Sequence, residues 1–168
     1  MSVDTEAMRL TMRLWSCGVT IVTTGNEHER SGMTASSFTS ISLEPPLVLA
    51  CLHKQTRTTR LIQETGVFAV SILSASHEAL SAQFAGYTEL PEGADRFYNV
   101  ETFTAESGSP ILQEGIAWLD CKVYGVHDGG THLIFVGEVL ATGRTDDPVE
   151  PLVYHNRAYR RFVTGDSG

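Results

Sequence analysis

Short hydroxyl side chains are concentrated between Gly32 and Ser42, within the stretch from Arg30 to His53. They are Thr34, Ser36, Ser37, Thr39, Ser40 and Ser42. So many hydrogen-bonding groups cannot be buried in a dry core without partners. The stretch is therefore either a solvated surface strand or one face of a site for a polar ligand.

Basic and hydroxyl side chains alternate in the connection that follows, immediately before a predicted helix. They are Lys54, Thr56, Arg57, Thr58, Thr59 and Arg60. Cationic groups, hydroxyl donors and the unpaired amides of a helix N-terminus together favour a phosphate. On composition alone, a solvated capping segment explains the pattern equally well. Beside the hydroxyl stretch, the segment suggests a ligand with a hydrogen-bonding ring and a phosphate tail.

The histidines and cysteines do not have the spacing of a metal site or of a nucleophilic enzyme. The six histidines lie in different segments, and neither His-Glu-x-x-His nor Cys-x-x-Cys occurs. Cys51 and His53 would share one face of a predicted strand, as a thiol–imidazole pair requires, but a buried cysteine is the simpler interpretation. No glycine-rich fingerprint joins a strand to a helix, which excludes a Rossmann-type dinucleotide site.

His132 opens a predicted strand after a Gly-Gly turn and is followed by apolar residues. A lone histidine in this position is more often structural than functional. The chain ends in a basic, aromatic tail over Tyr154–Phe162, which includes Tyr159 and Arg160. From the residues alone, this tail is equally compatible with a solvated surface.

The chain has 168 residues, with 12 basic and 20 acidic side chains and a formal charge of -8. This length is typical of one domain, which we expect to span residues 1–168. The negative charge argues against a nucleic acid or an anionic membrane as a partner. Three widely spaced cysteines make no disulfide framework, no apolar run approaches a membrane span, and the first residues lack a signal pattern. We therefore expect a cytoplasmic protein.

At least six strands are predicted, with few helices between them. They are Val19–Thr24, Gly32 to about Ser40, Leu47–Leu52, Val67–Leu73, Ala117–Val126 and His132–Thr142. Because Leu47–Leu52 is apolar throughout, we expect both of its faces to be buried. The spacing is not that of alternating strands and helices, so it favours a mainly β fold, a closed or half-closed antiparallel barrel.

Three short helices are predicted to lie over the ends of this barrel. They are Asp4–Trp15 with Asp4 as its N-cap, Thr58 to about Glu64, and a helix capped by Ser74 or Ser76 that runs through Phe84. The segment Tyr87–Pro110 has weak periodicity and is predicted to be mainly a long irregular connection. The apolar face of the first helix, together with exposed strands, favours a homodimer.

Short motifs occur in a fixed order along nearly the whole chain. They are GVTIVT at 18–23, GMTASSF at 32–38, SL at 42–43 with PPLV at 45–48, FAVSIL at 68–73, FAG at 84–86, RF at 96–97, HLIFVGEV at 132–139 and PLVY at 151–154. Each motif is weak alone, but the ordered set resembles the short-chain flavin reductase family. The resemblance implies an FMN-binding split β-barrel of Greek-key type with a few short flanking helices.

The resemblance also implies an activity, namely NAD(P)H-dependent reduction of a flavin. The expected cofactors are FMN or FAD together with NADH or NADPH. The reduced flavin would then pass to a partner flavin-dependent monooxygenase. Because the two cofactors carry the redox chemistry, such an enzyme needs no catalytic dyad of its own.

By position, the resemblance assigns most site residues to the flavin. The expected contacts are Met33, Thr34, Ala35, Ser36 and Ser37 at the ring edge, Cys51, Leu52 and His53 along the ring, Lys54, Thr56, Arg57, Thr58 and Thr59 at the phosphate, and Phe84, Ala85, Gly86, Arg96 and Phe97 over the flavin or its tail. His132 is expected to contact the nicotinamide, with Tyr159 and Arg160 completing that pocket. The stretch Tyr87–Gly93 matches nothing in the family pattern.

Two other functions remain open at this point. A split-barrel oxidase of the pyridoxamine-phosphate type would keep its flavin bound and react with oxygen. A non-catalytic flavin- or haem-binding module would also retain a chromophore. A colourless purified protein would instead favour a reductase that uses flavin as a substrate.

Overall fold

Twelve strands and three helices make up residues 3–162, the part of the chain that this computed structural model describes. The strands are Cys17–Gly18 (β1), Thr20–Gly25 (β2), Arg30–Ala35 (β3), Phe38–Leu43 (β4), Pro46–His53 (β5), Val67–Ile72 (β6), Thr102–Phe103 (β7), Ile111–Leu112 (β8), Ala117–Gly129 (β9), His132–Arg144 (β10), Val153–His155 (β11) and Ala158–Arg160 (β12). The helices are Thr5–Met12 (α1), Arg57–Thr65 (α2) and Glu78–Ala85 (α3).

Seven antiparallel strands form the main sheet in the order β3-β2-β6-β9-β10-β5-β4. Its two edge strands, β3 and β4, are consecutive in the chain, and only Ser36 and Ser37 separate them. Because three Cα steps span at most about 11 Å, the two edges must lie close together where the chain crosses between them. The sheet therefore curls into a barrel whose edge strands β3 and β4 do not pair with each other. The prediction of a mainly β split barrel is confirmed.

Two hydrophobic clusters fill the two sides of this sheet. The first lies inside the barrel and contains Val22, Ala35, Val48, Ala50, Leu52, Ile62, Phe68, Val70, Cys121 and Phe135. The second lies against α3 and contains Val19, Ile21, Leu73, Phe84, Phe97, Leu112 and Leu152. Alternate residues of β2 enter different clusters, as the two-residue period of a strand requires.

The hydroxyl stretch does not form one continuous return strand. β3 begins at Arg30, pairs with β2 and ends at Ala35, whereas β4 begins at Phe38 and pairs with β5. The prediction of a single strand to about Ser40 was wrong, because Ser36 and Ser37 cross from one edge of the sheet to the other. This break leaves the two serines outside both ladders.

The apolar strand β5 is buried on one face and half-exposed on the other. Val48, Ala50 and Leu52 point into the barrel and are at most 3% exposed. Leu47, Leu49, Cys51 and His53 alternate with them and are partly exposed. The expectation that both faces are buried was therefore wrong. The half-exposed face of β5 is available to a ligand.

Helix α1 begins as predicted, since the Asp4 carboxylate accepts a hydrogen bond from Ala7 N at 3.2 Å. It ends at Met12, three residues earlier than predicted, and none of its residues is buried. Leu14 and Trp15, which follow it, are 76% and 69% exposed. None of the helices in residues 3–162 is long and apolar enough to cross a membrane.

Helix α3 lacks the serine cap that the sequence predicts. Its N-cap is His77, which makes no capping hydrogen bond through its side chain. The Ser74 hydroxyl instead lies 2.7 Å from Ser76 Oγ and 3.1 Å from His77 Nδ1. The two serines therefore hydrogen-bond within this side-chain cluster and do not cap the helix.

A buried carboxylate anchors the long irregular connection after α3. Asp120 in the middle of β9 is fully buried and accepts hydrogen bonds from both Ser107 N, at 2.6 Å, and Ser107 Oγ. Ser107 Oγ also lies 2.9 Å from Ser109 Oγ. This network holds the loop that leads into β8 against the main sheet.

Candidate active site

Helix α2 follows β5 directly, and its first turn is built by threonines. Thr56 is the N-cap, and its hydroxyl accepts a hydrogen bond from Thr59 N at 3.2 Å. Gly66 ends the helix in the left-handed conformation, with φ 71°. The amides of Arg57 and Thr58 have no partner within the helix, as is general for a first turn, so they remain available to an anion.

A cavity of about 470 Å³ opens at this helix N-terminus. It is lined by Arg30, Ser31, Gly32, Gln55, Thr56, Arg57, Thr58, Leu90, Ala94, Asp95, Arg96 and Phe97. Its volume is within the usual range for small-molecule sites. It brings the start of β3, the N-terminus of α2 and the Arg96–Phe97 motif together. Of the predicted phosphate residues, Thr56, Arg57 and Thr58 line it.

The arginines around this cavity are already paired with protein groups. Arg30 Nε lies 2.9 Å from Asp95 Oδ2, and Arg57 NH2 lies 2.8 Å from Glu29 Oε2. Arg96 donates to the carbonyl of Phe84 at 2.6 Å. The cavity is therefore cationic at its rim, but none of these three guanidinium groups is without an acceptor.

Gly86 allows Arg96 to approach the end of α3. It caps the helix with φ 82°, a backbone conformation that residues with a side chain rarely adopt. A Cβ at this position would lie 2.9 Å from Arg96 NH2. The predicted set Phe84, Ala85 and Gly86 therefore positions Arg96, and the Phe84 side chain itself is fully buried.

Thr58 and the two remaining predicted phosphate contacts, Thr59 and Lys54, are hydrogen-bonded or paired within the protein. Thr58 Oγ1 lies 2.9 Å from Ser31 Oγ, and the fully buried Thr59 donates to His53 O at 2.9 Å. Lys54 Nζ lies 2.6 Å from Asp128 Oδ2 at the β9–β10 turn. Thr59 and Lys54 do not line the cavity, so their contact with a phosphate stays a prediction.

The half-exposed face of β5 continues across to β10. His53 and His132 are paired in register, and their rings meet edge to face with centroids 5.2 Å apart. Two residues away, Cys51 N donates to Ser37 O at 2.9 Å. The Leu52 side chain lies in the barrel core, so any ligand contact from Leu52 would come from its backbone. The structure thus brings Ser37, Cys51, His53 and His132 to one surface.

The Cys51 thiol on this surface and the Cys121 thiol in the barrel core are not set up as nucleophiles. Burial raises the pKa of the Cys51 thiol above its ordinary value, and no cationic group offsets this effect. Burial and the nearby Asp120 carboxylate raise the pKa of Cys121 to about 12. Both thiols are therefore protonated at neutral pH, which argues against an activated thiol–imidazole pair.

The C-terminal tail packs beside the hydroxyl stretch. Tyr159 donates to Ser81 Oγ at 2.8 Å, and Thr34 Oγ1 donates to Ser81 O at 2.6 Å. A cavity of about 200 Å³ lies here, lined by Val19, Thr34, Ser36, Ser81, Ala85, Tyr87, Tyr154 and Tyr159. Arg160 is exposed and does not line it. The tail is therefore not a free solvated segment, because β11 pairs with β1 and β12 pairs with β11.

The predicted ring contacts Met33 and Ala35 lie on the opposite face of β3 from Gly32, which was not among the predicted contacts. Gly32 faces α3, where a Cβ would lie 2.7 Å from Phe84 Cε1, so only glycine fits beneath that ring. Met33 and Ala35 face the barrel interior, and Thr56 Oγ1 lies 3.5 Å from Met33 Sδ. Phe97 lines the larger cavity and meets Phe84 edge to face at 5.0 Å.

Several residues around the larger cavity were missed from the sequence. They are Glu29, Arg30, Ser31, Leu90, Ala94 and Asp95. Glu29 and Arg30 belong to a polar turn, whose composition indicates only solvent exposure. Leu90 and Ala94 belong to the long irregular connection, whose hydrophobic pattern is weakly periodic. No local pattern distinguishes these residues, because only the fold brings them together.

The residues present fit a flavin. The larger cavity offers helix amides, hydroxyls and guanidinium groups to a phosphate. Thr56 N and Thr56 Oγ1 both donate to His53 O, each at 3.1 Å, so the cavity directly adjoins the His53–His132 surface. An anionic tail and a flat ring can therefore occupy neighbouring sites.

Comparison with known proteins points to the same ligand. Residues 12–162 match the family described as flavin reductase like domain. An NADH-dependent FAD reductase of Streptomyces globisporus is 40% identical over 147 residues, which cover 87% of this chain and 79% of that protein. The flavin-dependent monooxygenase reductase subunit HsaB of Mycobacterium tuberculosis is 34% identical over 137 residues, 82% of this chain and 71% of that protein.

A solved structure shows the same fold over the full length of the chain. The NADH:FAD oxidoreductase of Streptomyces globisporus, in complex with NAD and FAD fragments, superimposes with a TM-score of 0.86 at 35% identity. The match covers 100% of this chain and 99% of that one. The family match over most of the chain, the relatives and the shared barrel agree, and the chain belongs to the flavin reductase like domain family.

Proposed function

We propose that this protein is an NAD(P)H-dependent flavin reductase that reduces FMN or FAD. The observation that carries this function is the proximity of the cavity at the α2 N-terminus to the His53–His132 surface. The relatives described above are reductases. They favour this function over a pyridoxamine-phosphate-type oxidase or a non-catalytic module.

In this proposal, the chain binds and orients both cofactors. The amides of Arg57 and Thr58 hold the flavin phosphate, and the Thr56 side chain caps the helix that presents them. Ser36 and Ser37 hydrogen-bond to the ring edge. These donors favour negative charge on the ring edge, where a reduced flavin carries it. When bound, the flavin supplies the acceptor for a hydride from the nicotinamide.

His132 positions the nicotinamide in this proposal. Its ring is held on one side by the edge-to-face contact with His53, and its Nδ1 lies 2.9 Å from Thr131 Oγ1. Tyr159, anchored on Ser81, closes the pocket from the tail. No proton transfer by the protein is required, because hydride transfer depends mainly on proximity and local electrostatics.

Anaerobic mixing of the protein with flavin and nicotinamide tests the activity directly. We expect loss of the oxidised flavin absorbance with at least one of NADH and NADPH, in catalytic amounts of protein. All four pairs of FMN or FAD with NADH or NADPH should be assayed. If no pair bleaches the flavin faster than a control without protein, the proposed function is wrong.

Reduced flavin is expected to leave this protein for a partner oxygenase. The HsaB relative is described as the reductase subunit of a flavin-dependent monooxygenase. By analogy, the partner of this chain is a flavin-dependent monooxygenase component. We place both proteins in the cytoplasm, where NADH is available and the three unpaired cysteines stay reduced. Cell fractionation would check this location.

We further propose a homodimer. Five large apolar side chains near the N-terminus are exposed, namely Met8, Leu10, Met12, Leu14 and Trp15, and Leu14 and Trp15 are the most exposed of the five. Exposed apolar patches of this kind commonly mark protein interfaces. Light scattering should give about twice the 18.3 kDa of one chain. Trp15→Glu should shift the mass towards the monomer, whereas Val149→Glu, at another exposed apolar residue, should not; a wild-type monomer would refute the dimer.

A further inference from the structure

Two carboxylates compete for the arginines that line the larger cavity. Arg57 Nε and NH2 both donate to Glu29 Oε2, at 3.1 and 2.8 Å. Arg30 Nε and NH2 donate to the two oxygens of Asp95, at 2.9 and 3.4 Å. The two guanidinium groups best placed to meet a phosphate are therefore already bound to anions of the protein.

Glu29 is held firmly in this arrangement. It lies in the β2–β3 turn, where Asn26 Oδ1 accepts hydrogen bonds from His28 N at 2.8 Å and from Glu29 N at 2.9 Å. Its side chain is only 26% exposed and also accepts from Arg60 NH2 at 3.4 Å. A phosphate that recruits Arg57 must therefore share it with a fixed carboxylate.

Both carboxylates carry their charge at neutral pH. Hydrogen bonding from Arg57, reinforced by the charges of Arg60 and Arg57, lowers the pKa of Glu29 below its ordinary value despite partial burial. For Asp95, burial acts to raise the pKa, but hydrogen bonds from Arg30 and from the Phe97 amide outweigh it, and the pKa is lowered. A flavin phosphate would thus approach two negative charges as well as the cations.

We propose that Glu29 and Asp95 weaken the binding of the flavin phosphate, so that the flavin exchanges as a substrate instead of remaining bound. This inference rests on the proposed function and adds to it two residues outside the predicted contacts. Negative charges near a phosphate repel it and weaken the charge-assisted hydrogen bonds that it accepts from arginine. Differences in affinity between variants of one site appear mainly in the dissociation rate. Weaker phosphate binding therefore speeds release of reduced flavin to the partner.

Comparison of FMN with riboflavin isolates the phosphate. The two flavins share one ring and differ in the phosphate, so an effect that acts on the phosphate must appear with FMN alone. Glu29→Gln keeps the size and an acceptor for Arg57 but removes the charge. Glu64→Gln is the matched control, because Glu64 pairs with Arg60 on the same helix at 2.8 Å and does not line the cavity.

The dissociation constants should be measured by flavin fluorescence for the wild type and for each variant. We expect Glu29→Gln to bind FMN about three- to tenfold more tightly and riboflavin equally well. Asp95→Asn should act in the same direction, and Glu64→Gln should change neither constant. Stopped-flow displacement should show slower release of FMN from Glu29→Gln. Circular dichroism should confirm that each variant is folded.

Three results would overturn the inference. Unchanged FMN binding by Glu29→Gln and Asp95→Asn would show that the carboxylates do not oppose the phosphate, and weaker binding would show that they position the arginines for it. Equal tightening for riboflavin would place the effect on the ring. A wild-type protein that binds neither flavin would refute the proposed function and this inference with it, whereas unchanged FMN constants with clear flavin binding refute the inference alone.

Discussion

Replacing Asp120 with alanine should lower the free energy of unfolding by about 3 kcal/mol. The carboxylate is fully buried and accepts two hydrogen bonds from Ser107, one from the backbone amide and one from the hydroxyl. Alanine would leave the Ser107 amide without this acceptor, would leave the Ser107 hydroxyl only its contact with Ser109 Oγ, and would open a small cavity between β9 and the loop. Chemical denaturation followed by circular dichroism measures this loss.

The matched control is Asp128→Ala, on the same strand. Asp128 is exposed and pairs with Lys54, and exposed ion pairs contribute little to stability. Its effect should therefore be clearly smaller than that of Asp120→Ala. Asp120→Asn should recover part of the loss, since the amide oxygen can still accept from Ser107 N. Equal effects at both aspartates would show that the buried network does not stabilise the fold.

Replacing His132 with alanine should lower kcat/KM for NADH by about 10- to 100-fold. The ring is fixed by its contacts with His53 and Thr131, so it can hold a nicotinamide in one orientation. The phosphate cavity lies at α2 and does not include His132. The dissociation constant for FMN should therefore stay within about twofold of the wild type.

Steady-state kinetics with varied NADH, together with a separate flavin titration, checks this division of roles. His127→Ala is the control, because His127 is exposed on β9 and pairs in register with Ile134 on β10. Its kinetics should match the wild type. Unchanged reductase kinetics in His132→Ala would remove His132 from the nicotinamide site, and a large loss of FMN affinity would assign it to the flavin instead.

The elements with strong local signals were predicted from the sequence. The β-branched run Val19–Thr24 overlaps β2, and the polar residues from Asn26 to Glu29 form the turn into β3. Asp4 caps α1, and Gly66 and Gly86 end α2 and α3. In each case the information lies within a few residues, in side-chain branching, a capping oxygen or a glycine that can adopt positive φ.

The cavity could not be predicted to the same extent, because its contacts are distant in the chain. Arg30 and Asp95 are 65 residues apart, and Arg57 and Glu29 are 28 apart. Asp120 gives a related case, since its alternation within a strand indicates an outward side chain and only the packed loop at Ser107 buries it. The family resemblance supplied the candidate positions. It did not show which of them already bond to other groups of the protein, as Thr59 does with His53 O and Lys54 does with Asp128.

The two-residue crossing at Ser36 and Ser37 would link ligand affinity to the separation of the two edge strands, β3 and β4. β3 and β4 are the free edges of the sheet, and within residues 3–162 their direct chain connection is this crossing. A molecule held by both serines favours the arrangement in which the edges are close, in proportion to its preference for that state. By the same linkage, a substitution that lets the edges part would weaken flavin binding without touching the flavin.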